Sequence, residues 1–105
     1  MNNDRIKQLM QFIADDPADP FNIYCLANEY KHYDPKKALG YYESLLKDHP
    51  KYLPTYYHIA ELYLDKDEIE LAEKVIDDGI ELASVQNDRL ALRELRNLLD
   101  NLLDY

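Results

Sequence analysis

Cys25 is the chain's one thiol, with His32 seven residues on and His58 further along, and nucleophilic chemistry would have to rest on these side chains. A thiolate mechanism needs a base within hydrogen-bond reach, and no recognised nucleophile spacing is present. On a helix beside apolar positions, in an acidic chain that raises a thiol's pKa, Cys25 reads as a small apolar filler. His32, His49 and His58 fall on three different predicted helices. None forms the i, i+4 pair that would present two metal ligands on one face. The run from Asp65 to Glu81 holds Asp65, Asp67, Glu68, Glu70, Glu73, Asp77, Asp78 and Glu81 against only Lys66 and Lys74. It lacks the glycine turn and alternating oxygen ligands of a calcium loop, so it reads as a solvated face able to attract a basic partner. The expectation is no catalytic residue, no metal and no cofactor, hence no enzyme.

The elements that must position these residues follow from composition. A chain of 105 residues fits one domain, and 47% apolar with 31% charged residues allows a packed core. Only 2 Gly argues against phosphate-cradling loops and for helices, whose interiors exclude glycine for entropic reasons. A net charge of −9 and a pI near 4.6 repel nucleic-acid phosphate and anionic lipid, so neither nucleic acid nor a membrane is the expected partner. The polar start MNNDRIKQ does not resemble a signal peptide, and no apolar stretch approaches a membrane span. With a lone cysteine, this predicts a reduced, cytoplasmic setting.

Helix punctuation is explicit. In Asp19-Pro20 and Asp34-Pro35 the carboxylate caps a helix while the proline occupies a position whose N–H would be unpaired anyway. Asp67-Glu68-Ile69-Glu70 resembles a capping box, and Asn3 and Asn87 are expected to cap the first and last helices. Six helices are predicted, near 3–15, 20–32, 35–48, 53–65, 68–82 and 87–103, joined by connections short enough to make each antiparallel to the one before. The segment Ile23-x-x-Leu26-Ala27-x-x-Tyr30 returns as Tyr56-x-x-Ile59-Ala60-x-x-Tyr63, shifted by 33, whereas Ala38 recurs as Ala72 and Tyr42 as Ile76, shifted by 34. A fixed period of this length means stacked helical hairpins, with one residue fewer in the turn of the first repeat.

These residues resemble the tetratricopeptide repeat family, whose pattern runs aromatic, Leu, small residue and Tyr on one helix, then Ala and an aromatic on the next. Ile23 or Tyr56, Leu26 or Ile59, Ala27 or Ala60, Tyr30 or Tyr63, and Ala38 or Ala72 occupy those positions. The small residues permit close helix contact. Phe12 and Leu45 depart from the pattern, standing where the family has a small side chain. Phe12 is expected to fill space left by a missing neighbouring helix. The implied fold is an all-α solenoid of about six helices in one domain, 1–105: a half repeat over 3–17, repeats over 20–52 and 53–86, and a capping helix over 87–105. Leu92, Leu95, Leu99 and Leu102 would cover the last hairpin, with Leu90, Leu98 and Leu103 in surplus.

The resemblance implies a non-catalytic interaction module that binds a peptide or helix of a partner protein in a concave groove lined by the first helix of each repeat. Tyr24 and Tyr57 would be successive rungs, with Asn28 and Glu61 one turn further along, and Phe21, Lys31, His32, His58, Leu64 and Arg93 around them. In this reading Asn28 holds a backbone amide and Glu61 selects a positive side chain. Some family members clamp an acidic chaperone tail with Lys, Asn and Arg. Here Tyr24 replaces the first clamp Lys and His58 the second-repeat Asn, while Glu61 and Asp65 would repel such a tail, so a basic or aromatic-basic peptide is the expected partner. The alternative is a structural homodimer that assembles through the surplus leucines or through Ile6, Met10 and Ile13 on the first helix.

Overall fold

The computed structural model describes residues 2–103 and contains six helices: α1 (Asn3–Asp15), α2 (Pro20–Tyr30), α3 (Pro35–Asp48), α4 (Pro54–Asp65), α5 (Ile69–Gln86) and α6 (Arg89–Leu103). This is the all-α helical-repeat class expected from the sequence. The last two positions of the predicted capping helix, 104 and 105, lie outside the described residues. The chain divides into two compact units, one up to Tyr52 and the other from Leu53 onward.

In unit 1, α2 packs on both α1 and α3. Asp19 and Asp34 act as predicted: their Oδ1 atoms accept from the amides of Phe21 at 3.0 Å and Lys37 at 3.2 Å, with Pro20 and Pro35 opening the helices behind them. The first cap is Asn2, whose Oδ1 accepts from Arg5 N at 3.0 Å; Asn3, expected to cap, is instead the first helical residue, one position past the cap. Ala27, Ala38, Tyr42 and Leu45 are fully buried, and Leu26, Leu9 and Ile6 nearly so. Ile6 is therefore not part of an open face on α1. Ile13 is half-buried and Met10 exposed. Phe12 is 44% exposed rather than packed into a space left by an absent helix.

In unit 2, α5 packs on α4 and α6, and α6 also touches α4. The expected capping box at 67–70 does not form. Asp67 adopts a left-handed conformation with φ 60°, and Glu68 takes the cap position without a side-chain bond. The residue that distinguishes the two periods lies in this turn. Asp34 N bonds back to Tyr30 O at 2.8 Å, whereas its counterpart Glu68 N reaches Tyr63 O at 2.9 Å across one more residue. Asp tolerates the left-handed region better than most side chains, which lets the longer turn close without glycine.

α5 runs to Gln86, four residues beyond its predicted end. Asn87 terminates it rather than starting the next helix: φ is 57°, and Asp88 N closes back onto Ala83 O at 3.0 Å in a Schellman arrangement. Asp88 then caps α6, its Oδ1 accepting from Ala91 N at 3.0 Å. The turn is thus only Asn87 and Asp88. It brings α6 back along α5, burying Leu95 and Leu102 and half-burying Leu92 and Leu99, while Leu90 and Leu103 remain exposed. Gly79 makes the close approach possible: a Cβ there would stand 2.9 Å from Tyr56 Cβ and 3.0 Å from Leu95 Cδ1.

Candidate peptide-binding faces

Each unit carries its own set of the expected recognition residues. In unit 1, Tyr24 is half-buried, and its ring meets Tyr52 edge to face with centroids 5.6 Å apart. Tyr52 comes from the segment after α3, held by its amide bonding to His49 O at 3.0 Å. Burial pushes the Tyr52 hydroxyl above its usual pKa, and Tyr24, Cys25 and Asp19 add to the effect. Asn28, assigned to a partner's backbone, already accepts a hydrogen bond from the hydroxyl of Tyr42 on α3. Its carbonyl side therefore fixes the hairpin interior, because a fully buried phenol requires a partner. Phe21 is 55% exposed at the start of α2, and Lys31 is half-exposed at its end.

In unit 2, Tyr57, His58 and Glu61 meet along one turn of α4. The Tyr57 ring stands edge-on to His58 at 5.9 Å, and His58 Nδ1 lies 3.9 Å from Glu61 Oε1, an ion pair only when the imidazole is protonated. These two side chains are 27% and 36% exposed, accessible enough to meet a partner. Tyr57 is half-buried, and its hydroxyl is pushed above the usual pKa by burial first, then by the carboxylates of Glu61 and of Glu94 on α6. Leu64 is half-exposed one turn beyond Glu61, and Arg93 is exposed on α6.

Two residues missing from the expected set act on its tyrosines: Tyr52 meets the Tyr24 ring, and the Glu94 carboxylate helps push up the Tyr57 hydroxyl pKa. Tyr52 lies just past a proline at the end of a repeat, and only the chain's return toward α2 brings it to Tyr24. Glu94 adjoins the selected Arg93, and the choice between them needed the register of α6, set by the two-residue turn. His32 is exposed beyond the end of α2 and His49 ends α3, so only His58 lies within a helix. Burial raises the Cys25 pKa, with Arg5 lowering it and Asp19 raising it further, so the thiolate is disfavoured. No cluster of three or more metal-ligating side chains occurs among the described residues. None of their helices is long and apolar enough to cross a membrane.

The tetratricopeptide repeat family model matches residues 29–99, well over half of the chain. The chain belongs to the tetratricopeptide repeat family. Two solved structures of tetratricopeptide repeat domain proteins from Salinibacter ruber share its fold. The solution NMR structure has a TM-score of 0.77 and 36% identity, covering 83% of this chain and 89% of that one. The crystal structure has a TM-score of 0.72 and 38% identity, covering 75% of this chain and 90% of that one. No curated protein matches. Tetratricopeptide repeat domains generally mediate protein–protein interaction and are generally non-catalytic.

Proposed function

We propose that this tetratricopeptide repeat chain is a non-catalytic, cytoplasmic interaction module that binds a peptide or helix of a partner protein on its tyrosine-bearing faces, which we assign to the family's binding groove. Phe21, Tyr24 and Lys31 act in unit 1, and Tyr57, His58, Glu61, Leu64 and Arg93 in unit 2. The observation that carries this reading is the pair Tyr24 and Tyr57, half-buried at matching positions of two hairpins. A held ring presents buried area at little entropic cost, and its hydroxyl adds a directed hydrogen bond. Asn28 serves the hairpin rather than the partner through its carbonyl oxygen.

The test is selection from a randomised displayed peptide library on the wild type and on a Tyr24→Ala, Tyr57→Ala variant of unchanged helicity. Peptides retained by the first and lost by the second support the reading; equal retention by both, or retention by neither, overturns it. The homodimer reading is favoured by the exposure of Val85 at 75%, Leu90 at 56% and Leu103 at 64%. Native mass spectrometry of the full chain decides it: a dimer that Leu90→Gln, Leu103→Gln dissociates would support it, and a monomer would end it.

A further inference from the structure

We propose that the unit 2 face is a receptor for one cationic side chain, lysine or arginine, of the bound segment, built from the Tyr57 ring and the carboxylates of Glu61 and Glu94. This rests on the peptide-binding reading above and specifies the chemistry of the segment bound.

Three features converge on this occupant. The first is geometry. Tyr57 and Glu61 are four residues apart on α4 and so share a face, while Glu94 lies on α6, which packs on α4 and α5, and its charge acts on the Tyr57 hydroxyl. The Tyr57 ring is fixed by partial burial and by its edge contact with His58, so an aromatic surface is held where both carboxylates act. A cation over such a ring gains from the ring quadrupole and from both negative charges, and an anion loses to both.

The second feature is the field. Unit 2 carries 13 acidic against 5 basic residues, leaving −8 of the chain's −9. A segment arriving at this face meets a negative potential, which favours a cationic anchor in both encounter and residence. Glu94 forms no ion pair with another described residue, so its charge is not already neutralised by a lysine or arginine of the chain.

The third is the contrast with unit 1, where the position matching Glu61 is Asn28, neutral and engaged with Tyr42. The Tyr24 ring there meets Tyr52 edge to face. The cation requirement is thus assigned to the unit 2 face, with Tyr24 and Tyr52 supplying an aromatic pair in unit 1.

The experiment selects the same randomised peptide library on the wild type and on a Glu61→Gln, Glu94→Gln variant, both substitutions being near-isosteric and at accessible positions. The expected result is lysine or arginine enriched at one position on the wild type and no such enrichment on the variant. A peptide selected on the wild type is then remade with citrulline, a neutral analogue of arginine, at that position. Its affinity for the wild type should fall about tenfold, as expected for a partly exposed ion pair combined with a cation–π contact, and hardly change on the variant. Peptides bound without a cationic preference, or with one that survives both glutamines, overturn the receptor and leave the proposed function standing. Failure of either protein to select any peptide overturns the proposed function itself. The citrulline comparison alters only the peptide, so its result is independent of any effect of the substitutions on folding.

Discussion

The α2–α3 hairpin of unit 1 and the α4–α5 hairpin of unit 2 share a spacing and close their interiors with different chemistry. On the second helix of the pair, unit 1 buries Tyr42 and Leu45 where unit 2 buries Ile76 and Gly79. On the first helix, the matching differences are Ile23 for Tyr56 and Asn28 for Glu61. The changes are linked. A buried phenol at 42 needs an acceptor, and Asn28 supplies it. Ile76 needs none, and the equivalent of Asn28 there is Glu61, a partly exposed carboxylate beside His58. Likewise the large Tyr56 faces Gly79, while the matching positions in unit 1 carry the smaller Ile23 and the larger Leu45. Interior choices thus decide which surface residues remain available to a partner.

The largest expected effect comes from breaking the tighter side of that exchange. Leu45→Ala removes a side chain with no exposed surface and should cost about 2–5 kcal/mol in urea unfolding, the range for aliphatic truncation in a packed interior. A loss well under 1 kcal/mol would show that unit 1 can collapse toward the small-residue packing of unit 2. Gly79→Ala tests the opposite side. Its new Cβ meets Tyr56 Cβ at 2.9 Å, an atom fixed to the α4 backbone, so the helices must separate. Overpacking of about 1–3 kcal/mol outweighs the helix-propensity gain of about 1 kcal/mol, and a net loss is expected. Gly40→Ala supplies the internal control, since a Cβ there meets nothing within 4 Å and the residue is exposed. That variant should gain about 0.5–1 kcal/mol, so the same substitution in the two hairpins should differ in sign.

The contrast also explains how far the sequence could be read. Periodicity, the Asp-Pro pairs and the recurring Ala27, Ala60, Ala38 and Ala72 located all six helices and much of the buried interior, because those signals are local and repeated. Ends were misplaced where a residue type serves two roles. Asn87 fits a start or a stop, and only its left-handed backbone decides. Asp67 was read as a cap and instead absorbs the additional turn residue. At the candidate faces, Tyr24, Tyr57 and Glu61 could be placed by helical phase. Asn28 could be placed by phase, but assigning it to a partner's backbone overlooks Tyr42, which is 14 residues away, and its use depends on whether position 42 carries a hydroxyl. Glu94 depended on the register of α6, for which no repeat supplies a template.

The smallest expected loss isolates that hydroxyl. Tyr42→Phe keeps the ring and deletes one donor, leaving Asn28 half-buried without its acceptor role filled. The expected cost is about 1 kcal/mol, because a neutral hydrogen bond contributes little net but a stranded polar group retains its desolvation penalty. Asn28→Ala should cost a similar amount, since it removes the acceptor of the fully buried phenol. The double variant removes both ends, so its loss should fall short of the sum of the two, with a coupling of at least about 0.5 kcal/mol. Urea midpoints for the four proteins measure this. Strict additivity would mean that the bond contributes nothing to unit 1 and that the Asn28 carbonyl is not committed to the hairpin. Coupling would place Asn28 in the scaffold, leaving recognition in unit 1 to Phe21, Tyr24 and Lys31.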